Sequence, residues 1–250
     1  MSVIAIVNRK GGSGKSTLAT HVAGYLASLG YSVMLGDVDR QQSSRYWLGL
    51  RAAERTPIRG WTIDERNFAR PPAGTQHVVL DTPGGFHGVG LMKVSLYADA
   101  VLLPATNSVF DRIAAEESLA ELRTQPRIAG GKCRIACLGM RIDARTRNAA
   151  ALAEWAAAHA VDYLGTIRAT QTYCRLLEQG LSLFDFAPER VTAYRPDWDG
   201  VTRWLDSVLH GEIAAPRLVR PVDALHEAAE PGSVPGFLRR DAPAGGPLQG

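Results

Sequence analysis

A glycine-rich turn set between a buried strand and a helix constrains this chain more than any other feature. Val3-Ile4-Ala5-Ile6-Val7 is an unbroken apolar run, and residues 10–17 read Lys10-Gly11-Gly12-Ser13-Gly14-Lys15-Ser16-Thr17. Leu18, Val22, Tyr25, Leu26 and Leu29 then recur at helical spacing until Gly30 stops the pattern. A turn of this kind exposes successive backbone N–H groups at the positive end of a helix, which is a geometry that holds phosphate oxygens. Lys15 is placed to reach the β- and γ-phosphates of a nucleotide, and the Ser16 hydroxyl to ligate Mg²⁺.

Downstream, apolar runs alternate with amphipathic segments, the signature of βα units around a parallel sheet. Further strands are expected at 32–35, 77–80, 100–103, 134–138 and 163–167. Helices are expected at 16–29, 43–54, 88–97, 111–124, 146–159, 170–179 and 198–209. Segment 55–75 reads poorly, because Pro57, Pro71 and Pro72 break any period. The expected fold class is α/β: a doubly wound, mostly parallel sheet with helices on both faces, over residues 1–210. Residues 211–250 hold six of the fourteen prolines and end Ala-Pro-Ala-Gly-Gly-Pro-Leu-Gln-Gly. Such a composition buries too little apolar area to offset its ordering entropy, so a disordered tail is expected there.

Three widely spaced cysteines make no disulfide framework. Cys133 and Cys137 lie four apart in an apolar run and read as small core residues. The N-terminus runs straight into a strand without a basic leader, and no apolar run nears the ~20 residues that span a bilayer. The expectation is a soluble, cytoplasmic protein. A formal charge of +3 does not by itself imply a nucleic-acid partner, although arginine, the better phosphate fork, heavily outnumbers lysine.

The loop departs from the ordinary G-x-x-x-x-G-K-[ST] pattern: Arg9 stands where glycine is wanted, and Lys10 precedes two glycines. This resembles the deviant Walker A motif, K-G-G-x-G-K-[ST], of the ParA/MinD family of ATPases. Leu35-Gly36-Asp37-Val38-Asp39-Arg40-Gln41 resembles that family's D-x-D-x-Q segment, with Arg40 where proline is common. Strand alternation would point Asp37 and Asp39 the same way, toward the phosphates. Val78-Val79-Leu80-Asp81 is an apolar strand closing on Asp, a Walker B element, and Thr82-Pro83-Gly84-Gly85 resembles the family's switch II. Leu103-Pro104-Ala105-Thr106 resembles its proline turn near the base.

The resemblance runs over about residues 1–210 and is sharpest over 3–44 and 76–112. It implies ATP/ADP and Mg²⁺ as cofactors, with Lys10, Lys15 and Asp39 catalytic and Ser16, Asp37 and Asp81 serving the metal. Lys10 is implied to cross to the partner's ATP in a nucleotide-sandwich homodimer, and Asp39 to orient the attacking water. Partners implied are non-specific DNA and a ParB-like or other adaptor that stimulates hydrolysis, so that the ATP-bound form would be nucleoid-associated. Candidate DNA contacts are Arg168, Arg175 and Arg203, with Arg141, Arg145 and Arg147 a second patch, and Arg141 could instead line the base pocket. A MinD-like membrane role is the rival, but Gly236-Phe237-Leu238-Arg239-Arg240 sits between Pro235 and Pro243 and cannot form a lipid-facing stripe. A nucleotide-switch scaffold without a DNA surface is the other alternative. Residues 81–90 lack the cysteine that an iron-protein relative would need.

Overall fold

A computed structural model describes residues 1–61, 71–106 and 108–211. The chain divides into units over Met1–Val219 and Arg220–Gly250. The expected tail from 212 onward, with its Gly236–Arg240 segment, lies outside the described residues.

Among the described residues the first unit has seven strands: β1 (Ser2–Ile6), β2 (Val33–Asp37), β3 (Ile58–Trp61), β4 (His77–Asp81), β5 (Ala100–Ala105), β6 (Arg134–Met140) and β7 (Asp162–Ile167). Their order is β3-β2-β4-β1-β5-β6-β7, and every pairing is parallel. Parallel strands covered on both faces need no polar alternation, which is why β2, β4 and β5 are buried at every position. The helices are α1 (Lys15–Ser28), α2 (Ser43–Leu50), α3 (Gly88–Tyr97), α4 (Val109–Arg123), α5 (Pro126–Ala129), α6 (Arg147–Ala158), α7 (Gln171–Glu178) and α8 (Arg195–Leu209). Leu18, Val22 and Leu26 of α1 pack with Trp198 and Val201 of α8 over Ile4, Ile6 and Val79 on one face. Leu91 and Val94 of α3 pack on Val3, Ala5 and Val78, and Leu119 of α4 on Leu103, on the other. Cys133 and Cys137 are buried among these apolar side chains, and burial pushes the Cys133 thiol up to about 12.

Three departures from the sequence reading have local causes. Strand β3 falls in the unreadable stretch and pairs with β2 at the sheet edge. Only Ile58 of it is buried, so it carries no apolar run. Helix α2 ends at Leu50 rather than at 54, because Arg51 turns extended (ψ 121°) and sends its guanidinium into a buried pair with Asp185. Helix α8 begins at Arg195, three residues early, with Pro196 in its first turn, where the missing N–H costs nothing.

Directly behind the glycine-rich loop, His21 of α1 is fully buried. Its Nδ1–H donates to Thr17 O at 2.9 Å, which leaves Nε2 bare and unpartnered. The ring stacks on Trp198 with centroids 5.0 Å apart and meets Tyr173 edge-on. Burial pulls its pKa down to about 4, against the Thr17 hydrogen bond and the Asp185 charge. The unfolded chain binds that proton near 6.5, so stability is intact above about pH 6.5 and is lost as pH falls toward 4, by roughly 3 kcal/mol in all. Urea midpoints across this window measure the loss, and His21→Leu should reduce the slope.

Candidate active site

The loop after β1 opens at the carboxyl edge of the sheet, where the chain winds outward to β4 on one side and β5 on the other. That is where open α/β sheets place their ligands. Asn8 anchors the loop, donating from Nδ2 to Pro104 O at 2.7 Å and accepting from Lys10 N at 2.8 Å. Pro104 is not a turn but lies within β5, which runs two residues past the expected end at 103 and supports the loop from behind. Gly14 needs its missing side chain twice over: its φ is +92°, and a Cβ would lie 2.8 Å from Met140 Cε.

A cavity of about 910 Å³ opens over this loop. Gly11, Gly12, Gly14, Lys15, Ser16 and Thr17 form one wall, with Asp39, Thr82, Pro83 and Gly84 beside them. Lys15 is buried and donates from Nζ to Lys10 O at 2.9 Å, so its ammonium lies folded under the loop crest. Burial lowers its pKa, while the charges of Asp81 and Asp39 raise it back in part. Lys10, by contrast, is exposed, and its ammonium has no partner among the described residues. The Ser13 hydroxyl is buried and unpartnered.

Asp37 and Asp39 do not point the same way, contrary to the expectation from strand alternation. Strand β2 ends at Asp37, and its carboxylate turns back to accept from the amides of Asp39 (3.0 Å), Ser44 (2.8 Å) and Arg45 (3.1 Å). It therefore supports the N-terminus of α2 and does not line the cavity. Burial raises its pKa against those three amides. Asp39 lies beyond the strand, accepts from Gln41 N at 3.0 Å and lines the cavity.

Asp81 is buried at the end of β4, in register with Asp37. Its Oδ2 accepts from the Ser44 hydroxyl at 2.5 Å, and its buried Oδ1 has no hydrogen-bond partner. Burial pushes its pKa up to about 6, and the Ser44 and Ser16 hydroxyls hold it from rising further. An unpaired carboxylate oxygen beside a serine hydroxyl suits a hard cation with oxygen ligands such as Mg²⁺.

The switch segment is fastened to the loop through backbone. The Thr82 hydroxyl donates to Ile6 O at 2.7 Å and Gly85 N to Arg9 O at 2.6 Å, and a Cβ on Gly84 would lie 3.2 Å from Gly11 Cα. Arg9, the residue that breaks the ordinary loop pattern, binds Glu117 (3.2 Å) and Glu121 of α4, and Glu121 also accepts from Gly88 N at the start of α3. Sequence reading missed this brace, since nothing local marks a pair more than a hundred residues apart.

Of the arginine candidates, Arg168 lines the cavity and is held by both oxygens of Asp197 at 2.7 Å. Arg175 on α7 and Arg203 on α8 are exposed, the latter donating to Asp199 O. Arg141 takes a left-handed backbone (φ 60°), donates to Gly12 O at 2.6 Å and lines the cavity. Arg145 pairs with Asp143, and Arg147 is exposed. Ile167, Ala169, Thr170, Gln171 and Tyr173 also line the cavity, and the sequence does not mark them as site residues.

Residues 4–184 match the family described as the CobQ/CobB/MinD/ParA nucleotide-binding domain. The chain belongs to that family. Maintenance of carboxysome distribution protein A of Gloeobacter kilaueensis is 34% identical over 116 residues, 44% of this chain and 51% of that protein. The chromosome-partitioning ATPase Soj of Thermus thermophilus is 51% identical over 49 residues, 20% of each chain. The chain thus spans about half the length of the first relative and about a fifth of the second. An ATP complex of Cyanothece McdA superposes with a TM-score of 0.62 over 81% of this chain and 96% of that one, at 16% identity, a likeness of fold. The ParA/MinD resemblance and the doubly wound fold class both stand. Among the described residues, no helix is long and apolar enough to cross a membrane.

Proposed function

We propose that the chain is a slow, partner-stimulated ATPase that dimerises around ATP, binds DNA without sequence preference and positions a cargo. The observation that carries this reading is the split between the two loop lysines, Lys15 buried beneath the loop and Lys10 exposed on it, its ammonium without a partner among the described residues. A lysine held under the loop can serve its own nucleotide, and one left outside is available to a second subunit's phosphates.

Catalysis here is positioning and charge neutralisation. Loop amides and Lys15 hold the phosphates, Lys10 adds charge from across the dimer, and Asp39 orients the attacking water. Ser16 and Asp81 would hold Mg²⁺, which when bound neutralises charge on the phosphate oxygens. Asp37 serves the metal shell indirectly, by fixing the segment that carries Asp39 and Ser44. Loss of the γ-phosphate would be felt by Thr82, Pro83, Gly84 and Gly85, whose backbone already touches the loop at Arg9 and Gly11.

Arg175 and Arg203, exposed and not paired with an acidic side chain among the described residues, are favoured for DNA phosphate contact over Arg168, which Asp197 holds, and Arg147 of the second patch is exposed as well. The likeness to Soj and to carboxysome-distribution proteins supports a positioning role, with cargo identity residing in an adaptor. Retention of the full chain on random-sequence DNA tests the surface. It is expected with a non-hydrolysable ATP analogue at about 50 mM salt, to be largely lost by about 200 mM, and to be absent with ADP. Arg175→Ala should lower the logarithmic salt slope by about 1 per contact removed. Retention on anionic vesicles in place of DNA would support the membrane alternative and contradict this one.

A further inference from the structure

Ser43 and Ser44 are indistinguishable in sequence, but Ser43 is exposed and Ser44 fully buried. Ser44 N donates to Asp37 Oδ2 at 2.8 Å, and Ser44 Oγ donates to Asp81 Oδ2 at 2.5 Å. One residue therefore grips the last carboxylates of two neighbouring strands, at the register pair Asp37–Asp81. A carboxylate can rotate about its last bond unless one oxygen is pinned. With Oδ2 pinned, the direction of Oδ1 is set, and that is the buried oxygen without a partner. The donor also rides on α2, so Asp81 is aligned by the element whose first turn Asp37 supports.

We infer that Ser44 is a positioning residue that fixes the Asp81 carboxylate through Oδ2 and so presents Oδ1 to the divalent cation bound with the nucleotide. The inference rests on the ATPase reading above. A hydroxyl that served packing alone would affect stability and leave cation dependence unchanged. Outer partners of metal-binding side chains, by contrast, act on metal affinity directly.

The test is Mg²⁺ titration of fluorescent ADP-analogue binding by the full chain. Ser44→Ala is expected to bind the analogue without Mg²⁺ within about twofold of wild type, and to need about tenfold more Mg²⁺ for the half-maximal response. Ser44→Thr keeps the hydroxyl and should return to within about threefold of wild type, and Ser44→Cys, a weaker donor of similar size, should fall between. Should the alanine variant not fold, the threonine and cysteine variants carry the comparison. A wild-type Mg²⁺ midpoint in Ser44→Ala or Ser44→Cys, accompanied only by a lower melting temperature, overturns the inference. A wild type whose ADP binding ignores Mg²⁺ contradicts the cation site itself, and the inference falls with it.

Discussion

Replacing Lys10 with alanine is expected to lower ATP turnover by about a hundredfold or more while leaving measurable nucleotide binding, because a preorganised cation at the reacting phosphates is typically worth that much. Binding should survive because the groups proposed to hold the nucleotide belong to the same subunit: the loop amides, the buried Lys15 and the Ser16 hydroxyl. Lys10 is exposed, its backbone N–H is fixed by Asn8 and its carbonyl accepts from Lys15, so removing its side chain leaves the loop's own hydrogen bonds in place. Single-turnover hydrolysis alongside an equilibrium binding assay separates the two effects. Undiminished turnover in the variant contradicts the dimer-crossing role.

The second large effect is structural. Arg51 and Asp185 form an ion pair with side chains only 5% and 4% exposed. Arg51 also donates to Gly180 O and Thr56 O and lies over the Trp47 ring, while Asp185 accepts from Ser182 N and Oγ. The pair joins the end of α2 to the turn that packs on α1, where Gly24 leaves room for Ser182. Arg51→Ala strands a buried carboxylate and should cost about 3–5 kcal/mol, read from chemical denaturation. The double variant Arg51→Met with Asp185→Leu removes both charges and should recover most of that loss. Burial alone would raise the Asp185 pKa, but Arg51 and Ser182 hold it below the usual carboxylate range. The pair's contribution is therefore present above about pH 4 and fades as the carboxylate protonates in acid.

These two sites mark how far local sequence reading reaches. The loop, its strand and its helix are contiguous, so residues 2–28 carry their structure in hydrophobic period and glycine placement alone. Asp81 is legible for the same reason, as the last residue of an apolar run. What stayed hidden depends on distant partners. Strand β3 has a single buried residue and takes its place from pairing with β2. Alternation along β2 suggested a shared direction for Asp37 and Asp39, but the strand stops between them and the first is drawn away by the amides of α2. Arg168 reads as a free surface cation until Asp197, on the first turn of α8, is found holding it. Arg9 reads only as a departure from a pattern, yet it braces the loop against α4.

The loop's two lysines remain the centre of the account, one committed inward and one left outside. Light scattering of the purified chain with ADP and with a non-hydrolysable ATP analogue, for wild type and Lys10→Ala, tests that division most directly. Wild type with the ATP analogue is expected at twice the mass of one chain, and wild type with ADP, or the variant, at the mass of one chain. A wild type that stays a monomer with the ATP analogue, or a variant that dimerises as well as wild type, would contradict that division.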